Sequence, residues 1–197
     1  MDRPGDRQIP LDKNRQRLRP FLELGRMGMD RATLERLYEE EAEGIFRYAL
    51  ALAGCEGVAR DILQEVFVKL ARDGLALQSV QDRRSYLLRM ARNGFIDRVR
   101  RDQSARERGE RWGRDFGFVA REDDPDRREF ARWIEEGLAA LPENQRSVVV
   151  LHLWDGLSFT QIGAVCEVSA NTAASRYRYG VDKLRERLRP LYEELKG

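Results

Sequence analysis

The stretch from Leu157 to Leu188 leaves this chain few folds to choose from. It reads LSFTQIGAVCEVSANTAASRYRYGVDKLRERL and lays out two short helices around a tight turn. Ser158 predicts an N-cap, Ile162 and Val165 the apolar anchors of the first helix, Cys166-Glu167-Val168 the turn, and Ser169 the cap of the second helix. In that second helix Ala173, Tyr177, Val181, Leu184, Leu188 and Leu191 recur at steps of three and four, one inward stripe. Asn171, Ser175 and Arg178 fall on the opposite face. A helix with an apolar back and a polar, cationic front suits the major groove of DNA. An ordinary amphipathic hairpin with a solvated outer face has the same spacing, so the motif alone predicts helix, turn, helix and a candidate groove reader.

The periodic segments upstream are helical too. One helix starts at Asp30 or Thr33, turns Leu34, Leu37, Tyr38, Ile45, Ala49 and Leu52 inward, and ends at Gly54. A second, about Val58 to Arg72, packs through Val58, Ile62, Val66, Phe67 and Leu70. Its outward flank carries Asp61, Gln64 and Glu65 together. Nothing local pairs these carboxylates, so they read either as a solvated face or as a surface presented to a partner. A third helix, Asp82 to Arg101, turns Leu87, Met90, Ala91, Phe95 and Val99 toward a core. Tyr86 lies near its start among Arg83, Arg84 and Arg89; arginines bind phosphate, and an aromatic ring among them can stack on an unpaired base. A cationic helix with a core tyrosine fits the same residues.

Charge supports the division. The net charge of +2 hides strong segregation. Thr33 to Phe67 holds 8 acidic and 3 basic residues (8 − 3, net −5), whereas Arg83 to Arg108 holds 9 basic and 3 acidic (9 − 3, net +6). One surface suits a basic protein partner and another an anionic polymer. Residues 102–128, dense in charge and containing Gly109, Gly113, Gly117 and Pro125, predict a linker. Trp112, Phe116, Phe118 and Val119 are apolar for a solvated tether. Beyond it, Phe130, Ile134 and Leu138 start a further helix that Leu141-Pro142 stops. Pro142 to Trp154 gives another, with Val148, Val149 and Leu151 inward, and Asp155-Gly156 turns into the opening motif. Residues 1–29, with three of the six prolines and scattered arginines, predict a mobile basic arm.

Several classes are disfavoured. Cys55 and Cys166 lie far apart and have no ligand spacing, and His152 is the single histidine, so neither a metal site nor a cofactor is expected. Both cysteines read as small core residues in a reduced, cytoplasmic protein. No apolar run reaches transmembrane length, so no membrane insertion is expected. An enzyme such as a nuclease needs clustered carboxylates or histidines; Asp61 and Glu65 are the nearest pair and lack a third ligand.

Taken in order, the acidic helix, DILQEVF, ARNGFIDRVRR, the charged linker, LPENQRSVVVLHLWDGLSFTQIG and VSANTAASRYRYGVDKLRERL resemble a bacterial RNA polymerase sigma factor. The resemblance is to the small extracytoplasmic-function group of the sigma-70 family and spans about Leu34 to Leu188. It implies an all-α chain of two small helical domains: sigma region 2 over residues 30–101 and sigma region 4 over residues 129–197, joined by the linker. It implies core RNA polymerase as partner, through the clamp helices of its largest subunit and through its flap, with Asp61, Gln64 and Glu65 as the docking residues. Arg84, Tyr86, Asn93, Asp97, Arg98 and Arg101 would capture the melted minus-ten strand of promoter DNA or shape its pocket. Ser169, Asn171, Thr172, Ser175, Arg176 and Arg178 would read the minus-thirty-five element. The linker would thread toward the RNA exit path, a use for Trp112 and Phe116, and an anti-sigma factor is a further partner to expect. Glu167 stands where the family usually has glycine in the turn, so a non-glycine residue must fit there. A stand-alone helix-turn-helix regulator is the competing reading; it accounts for Leu157–Leu188 but leaves DILQEVF and the basic third helix without a role.

Overall fold

Asp30 starts the first helix by accepting a hydrogen bond from the Thr33 N–H at 2.9 Å, which satisfies a donor with no partner inside the helix. The computed structural model describes residues 29–73, 80–107 and 125–194, and the side chains of 102–131 are outside that description. Seven helices follow: α1 (Arg31–Ala53), α2 (Glu56–Asp73), α3 (Arg83–Glu107), α4 (Pro125–Ala139), α5 (Glu143–Leu153), α6 (Phe159–Cys166) and α7 (Ala170–Glu194). Among the described residues there is no strand. Gly54 ends α1 in the left-handed conformation (φ 63°), its N–H donating to the Leu50 carbonyl at 2.8 Å. Met29, assigned from sequence to the arm, is instead buried. It occupies the position before the cap, where an apolar residue pairs with the fourth helical residue, here the buried Leu34. Residues 1–28 lie outside the described residues.

Helices α1, α2 and α3 form one packed group. Leu34, Leu37, Tyr38, Ile45, Ala49 and Leu52 are buried against Ile62, Val66, Phe67, Leu70, Leu87, Ala91 and Phe95, with the Tyr38 and Phe67 rings edge to face at 4.9 Å. Val99, expected inward, is exposed, because the C-terminal turns of α3 outrun the helices they would pack on. The helix also continues past Arg101 to Glu107, and α4 already begins at Pro125. The linker expected over residues 102–128 is therefore shorter at both ends. Asp102 to Glu107 contains no glycine or proline to stop α3, and a proline at the first helical position lacks only an N–H that has no helical acceptor. Trp112, Phe116, Phe118 and Val119 lie outside the described residues.

Helices α4 to α7 form the second group, around the buried Leu138, Leu141, Val148, Val149, Leu151, Leu157, Ile162, Val165 and Ala173. Ser158 caps α6 with a reciprocal box: its Oγ accepts from the Gln161 N–H at 3.3 Å, and its own N–H donates to Gln161 Oε1 at 3.0 Å. Glu167 closes α6 at φ 57° and ψ 45°, and its N–H and that of Val168 both donate to the Gly163 carbonyl. A Cβ on Gly163 would lie 2.7 Å from the Val168 carbonyl oxygen, so the turn can close over glycine alone. His152 is structural: its ring stacks on Phe159 at 4.7 Å, meets Tyr177 edge-on at 4.6 Å, and its Nδ1 lies 2.9 Å from the Leu157 carbonyl.

The two groups pack on each other, α5 against α1 and α6 against α3. Their seam is polar at its centre. Tyr48 and Ser147, both fully buried, share a hydrogen bond of 2.5 Å between their hydroxyls, and Ser147 Oγ lies 3.5 Å from Cys166 Sγ. Burial pushes the Tyr48 phenol well above its usual pKa and raises the Cys166 thiol too. Cys55 is half-buried; both thiols are free.

Candidate nucleic-acid interface

The docking face proposed on α2 has a partner within the fold. Arg98 of α3 reaches across to Asp61 Oδ2 at 2.7 Å and Glu65 Oε1 at 3.4 Å. Their partner is thus not a local one but Arg98 on the next helix, a residue expected to touch DNA or to shape its pocket and here engaged by both carboxylates. The side chains of Asp61 and Glu65 nevertheless remain 48% and 40% exposed, against 27% for Arg98. Gln64 is half-buried on the same helix. The cluster presents two carboxylates held at fixed separation by one guanidinium, a charge pattern suited to a basic or hydrogen-bond-donating protein surface.

On α3, Asp82 supplies the cap, accepting from the Ser85 N–H at 3.0 Å and Ser85 Oγ at 2.7 Å. Its carboxyl titrates below the ordinary value: burial raises it, and the hydrogen bonds from Ser85 and Gln161, with the charge of Arg84, outweigh that. Half-buried Tyr86 carries the Arg89 guanidinium over its ring at 5.4 Å from the centroid, so a cation and an aromatic face sit side by side. Asn93 is half-buried; Asp97 and Arg101 are exposed, with Arg101 Nε donating to the Asp97 carbonyl at 3.3 Å. Arg84 stands apart from them. Its Nη1 donates to Glu41 at 2.8 Å and its Nη2 to Asp155 Oδ1 at 2.7 Å, an oxygen that also accepts from Arg47 at 3.2 Å. Burial raises the Glu41 carboxyl and Arg84 draws it back. The basic residues assigned to single-stranded DNA are thus split: Arg101 is open to solvent, while Arg84 and Arg98 are engaged by carboxylates.

On α7, Asn171, Thr172 and Arg178 are exposed and Ser175 and Arg176 half-buried, opposite the fully buried Ala173. Ser169 is committed to capping: its Oγ accepts from the Thr172 N–H at 3.0 Å and lies 2.8 Å from Thr172 Oγ1. Asn171, Ser175 and Arg178 share the face of α7 away from Ala173, with the Arg178 guanidinium 5.8 Å from the Tyr179 ring centroid.

Sequence reasoning passed over the residues of the seam. Arg92 makes a fork to Glu143 at 3.1 and 3.3 Å, and the Asp155-Gly156 pair signals only a turn in the sequence. Arg92 offered a signal, since it falls between Leu88, Ala91 and Phe95 at helical spacing, a charge inside an apolar stripe. Among the described residues no group of histidine, cysteine and carboxylate side chains is placed to hold a metal, and no helix is long and apolar enough to cross a membrane.

Comparison with known proteins adds an independent finding. Residues 37–105 match the family described as Sigma-70 region 2 and residues 131–184 match Sigma-70, region 4. The chain is 30% identical over 171 residues to the ECF RNA polymerase sigma factor SigL of Mycobacterium tuberculosis, covering 85% of this chain and 95% of SigL. It is 32% identical over 161 residues to the ECF RNA polymerase sigma factor SigE of Mycolicibacterium smegmatis, covering 78% of this chain but only 61% of SigE. The fold resembles that of the sigma factor RpoE in complex with the anti-sigma factor NepR from Bartonella quintana (TM-score 0.64, 17% identity, 79% of this chain and 96% of that one). It also resembles CnrH in complex with the cytosolic domain of CnrY (TM-score 0.59, 20% identity, 90% of this chain and 98% of that one).

Proposed function

Because the chain belongs to the extracytoplasmic-function group of RNA polymerase sigma factors, and so directs RNA polymerase to promoters, we propose that it does this through three surfaces. The α2 face, with Asp61, Gln64 and Glu65 set by Arg98, docks on the clamp helices of the largest polymerase subunit. The α3 face, with Arg84, Tyr86, Asn93, Asp97 and Arg101, holds the melted minus-ten strand. Asn171, Ser175 and Arg178 of α7, supported by Ser169, Thr172 and Arg176, read the minus-thirty-five duplex while region 4 rests on the flap. The observation that carries this reading is the presence in one chain, in this order, of both matched regions, each with its own charged face.

The division of labour follows from charge. The carboxylates of α2 are repelled by DNA and serve a protein partner, whereas the arginines of α3 and α7 displace counterions from phosphate. Flipping bases out of the stack costs a few kcal/mol, which ring stacking and polar contacts around Tyr86 offset. Phosphodiester chemistry is left to the polymerase, in the cytoplasm where polymerase and chromosome meet. Run-off transcription on genomic fragments, with core polymerase in the presence and absence of this chain, tests the reading. Discrete transcripts that require the chain are expected; tight sequence-specific duplex binding by the chain alone, with no effect on transcription, would favour a stand-alone regulator. The complexes of RpoE and CnrH extend the proposal to control by an anti-sigma factor.

A further inference from the structure

The second helical group carries an apolar groove of about 710 Å³ between α4, α5 and α7. Ile134 and Leu138 of α4, Leu153 and Trp154 at the end of α5, and Leu184 and Leu188 of α7 line it, with Arg185 and Arg189 beside them. Gly137 lets α4 approach α7 closely here, since a Cβ on it would lie 3.0 Å from Leu184 Cδ2. Leu153 stands 56% exposed, so covering the groove removes a large aliphatic surface from water. A groove of this volume is large enough to take two or three aromatic rings. We infer that its occupant in the free chain is the chain's own segment 115–124, with the Phe116 and Phe118 rings seated against Leu153, Leu184 and Leu188. This goes beyond the promoter-directing reading above and concerns the chain before polymerase or DNA is bound.

Pattern, reach and charge select that segment. Phe116 and Phe118 are two positions apart with Gly117 between them, and in extended backbone such a pair points to one side. Phe118 precedes Pro125, the first residue of α4, by seven positions, which an extended chain covers in about 23–25 Å. Ile134 and Leu138 lie nine and thirteen positions into α4, about 14 and 20 Å from its start at the helical rise. The segment can therefore fold back along α4 and reach both. Asp115, Glu122, Asp123 and Asp124 flank the two rings, against Arg121 alone, and so complement Arg185 and Arg189. Those two arginines are 77% exposed, and their partners are the exposed neighbours Asp182 at 3.5 Å and Glu193 at 3.1 Å, pairs that contribute little and exchange readily. Residues 1–28 also hold apolar side chains, but they carry more basic than acidic groups and would meet the same arginines with like charge. Docking of 115–124 leaves residues 108–114 as the spacer between α3 and the groove.

The test uses the full chain without polymerase. Chymotrypsin cleavage after Phe116 and Phe118, followed by mass spectrometry, reads how often the segment leaves the groove. Two variants with exposed sites, whose helicity circular dichroism confirms, alter the groove: Leu153→Asp, and Arg185→Glu with Arg189→Glu. Cleavage is expected to quicken roughly tenfold in the first and about threefold in the second. A photoreactive benzoylphenylalanine in place of Phe118 is expected to cross-link within the chain to α5 and α7 around Leu153, Leu184 and Leu188. Cleavage of the wild type as fast as that of Leu153→Asp would overturn the docking. Cross-links confined to α1–α3, or formed only between two copies of the chain, would overturn it as well. Run-off transcription by the wild-type chain is read separately, so a failed docking and a failed promoter-directing role are told apart.

Discussion

Glu167 holds the turn between α6 and α7 at φ 57°, the only residue other than glycine at positive φ among the described ones. Left-handed backbone sets a Cβ against the next carbonyl, at about 1–2 kcal/mol. Glu167→Gly is therefore expected to stabilise the fold by about 1 kcal/mol net of the freedom glycine adds to the unfolded chain. Thermal unfolding checks it, with a rise of about 2–4 °C in Tm; an unchanged Tm would show that the Glu167 side chain recovers the cost through its surroundings. Asp61 and Glu65 allow a second prediction. Their pairs with Arg98 are substantially exposed and contribute at most about 1 kcal/mol each, so Asp61→Arg with Glu65→Arg leaves the chain folded but abolishes association with core polymerase. Circular dichroism and co-purification read the two halves separately, and wild-type co-purification of the folded double variant would defeat the docking assignment. The outward position of these carboxylates was legible in helical periodicity. Their partner was not, because Arg98 lies 37 residues from Asp61 and 33 from Glu65, beyond the reach of any local pattern.

The individual helices were more legible than their ends. Asp30, Ser158 and Ser169 act as the caps their side chains predict, and Gly54 stops α1 as a C-terminal glycine should. The helices reach into the linker expected over residues 102–128, because Asp102 to Glu107 carries no residue that breaks a helix and Pro125 is tolerated at a helix start. Asp82 shows how one cap serves two elements, since it closes the start of α3 and receives Gln161 from α6. Its folded-state carboxyl titrates below the ordinary aspartate value of 3.8, so the stability it contributes is present above that value and is lost as pH falls through the lowered one. Asp82→Asn, which still caps, is expected to flatten the acid limb of a Tm-versus-pH curve; an unaltered limb would assign acid sensitivity to other carboxylates. For α7, Arg178→Ala is expected to weaken use of the upstream promoter element by about 1–3 kcal/mol if Arg178 reads a base, with core binding unchanged. Competition footprinting with holoenzyme measures the first and co-purification the second; equal losses in both would remove Arg178 from the groove.

Over the whole molecule, negative charge gathers before Phe67 and positive charge after Arg83, the pattern expected of a protein-facing and a nucleic-acid-facing side. What the linear pattern did not convey is that the two helical groups fold onto each other. That contact is made by residues far apart in sequence, such as Arg47 and Asp155, 108 positions apart, and no spacing within a single segment pairs them. With Arg84 occupied and the two DNA faces unaligned by polymerase, the free chain is expected to bind promoter fragments weakly. Holoenzyme should bind them tightly, with log affinity falling linearly in log salt. Fluorescence anisotropy across a salt series checks this, and equal affinity with and without polymerase would contradict it. The seam also governs what happens when such proteins are recombined. A hybrid joining α1–α3 of this chain to the last four helices of a relative keeps Arg47, Arg84 and Arg92 together with Glu41, but takes whatever the relative has in place of Glu143 and Asp155. Whether the two halves of the product still close on each other then turns on carrying over Glu143, Ser147 and Asp155, three side chains that an exchange of whole domains leaves behind.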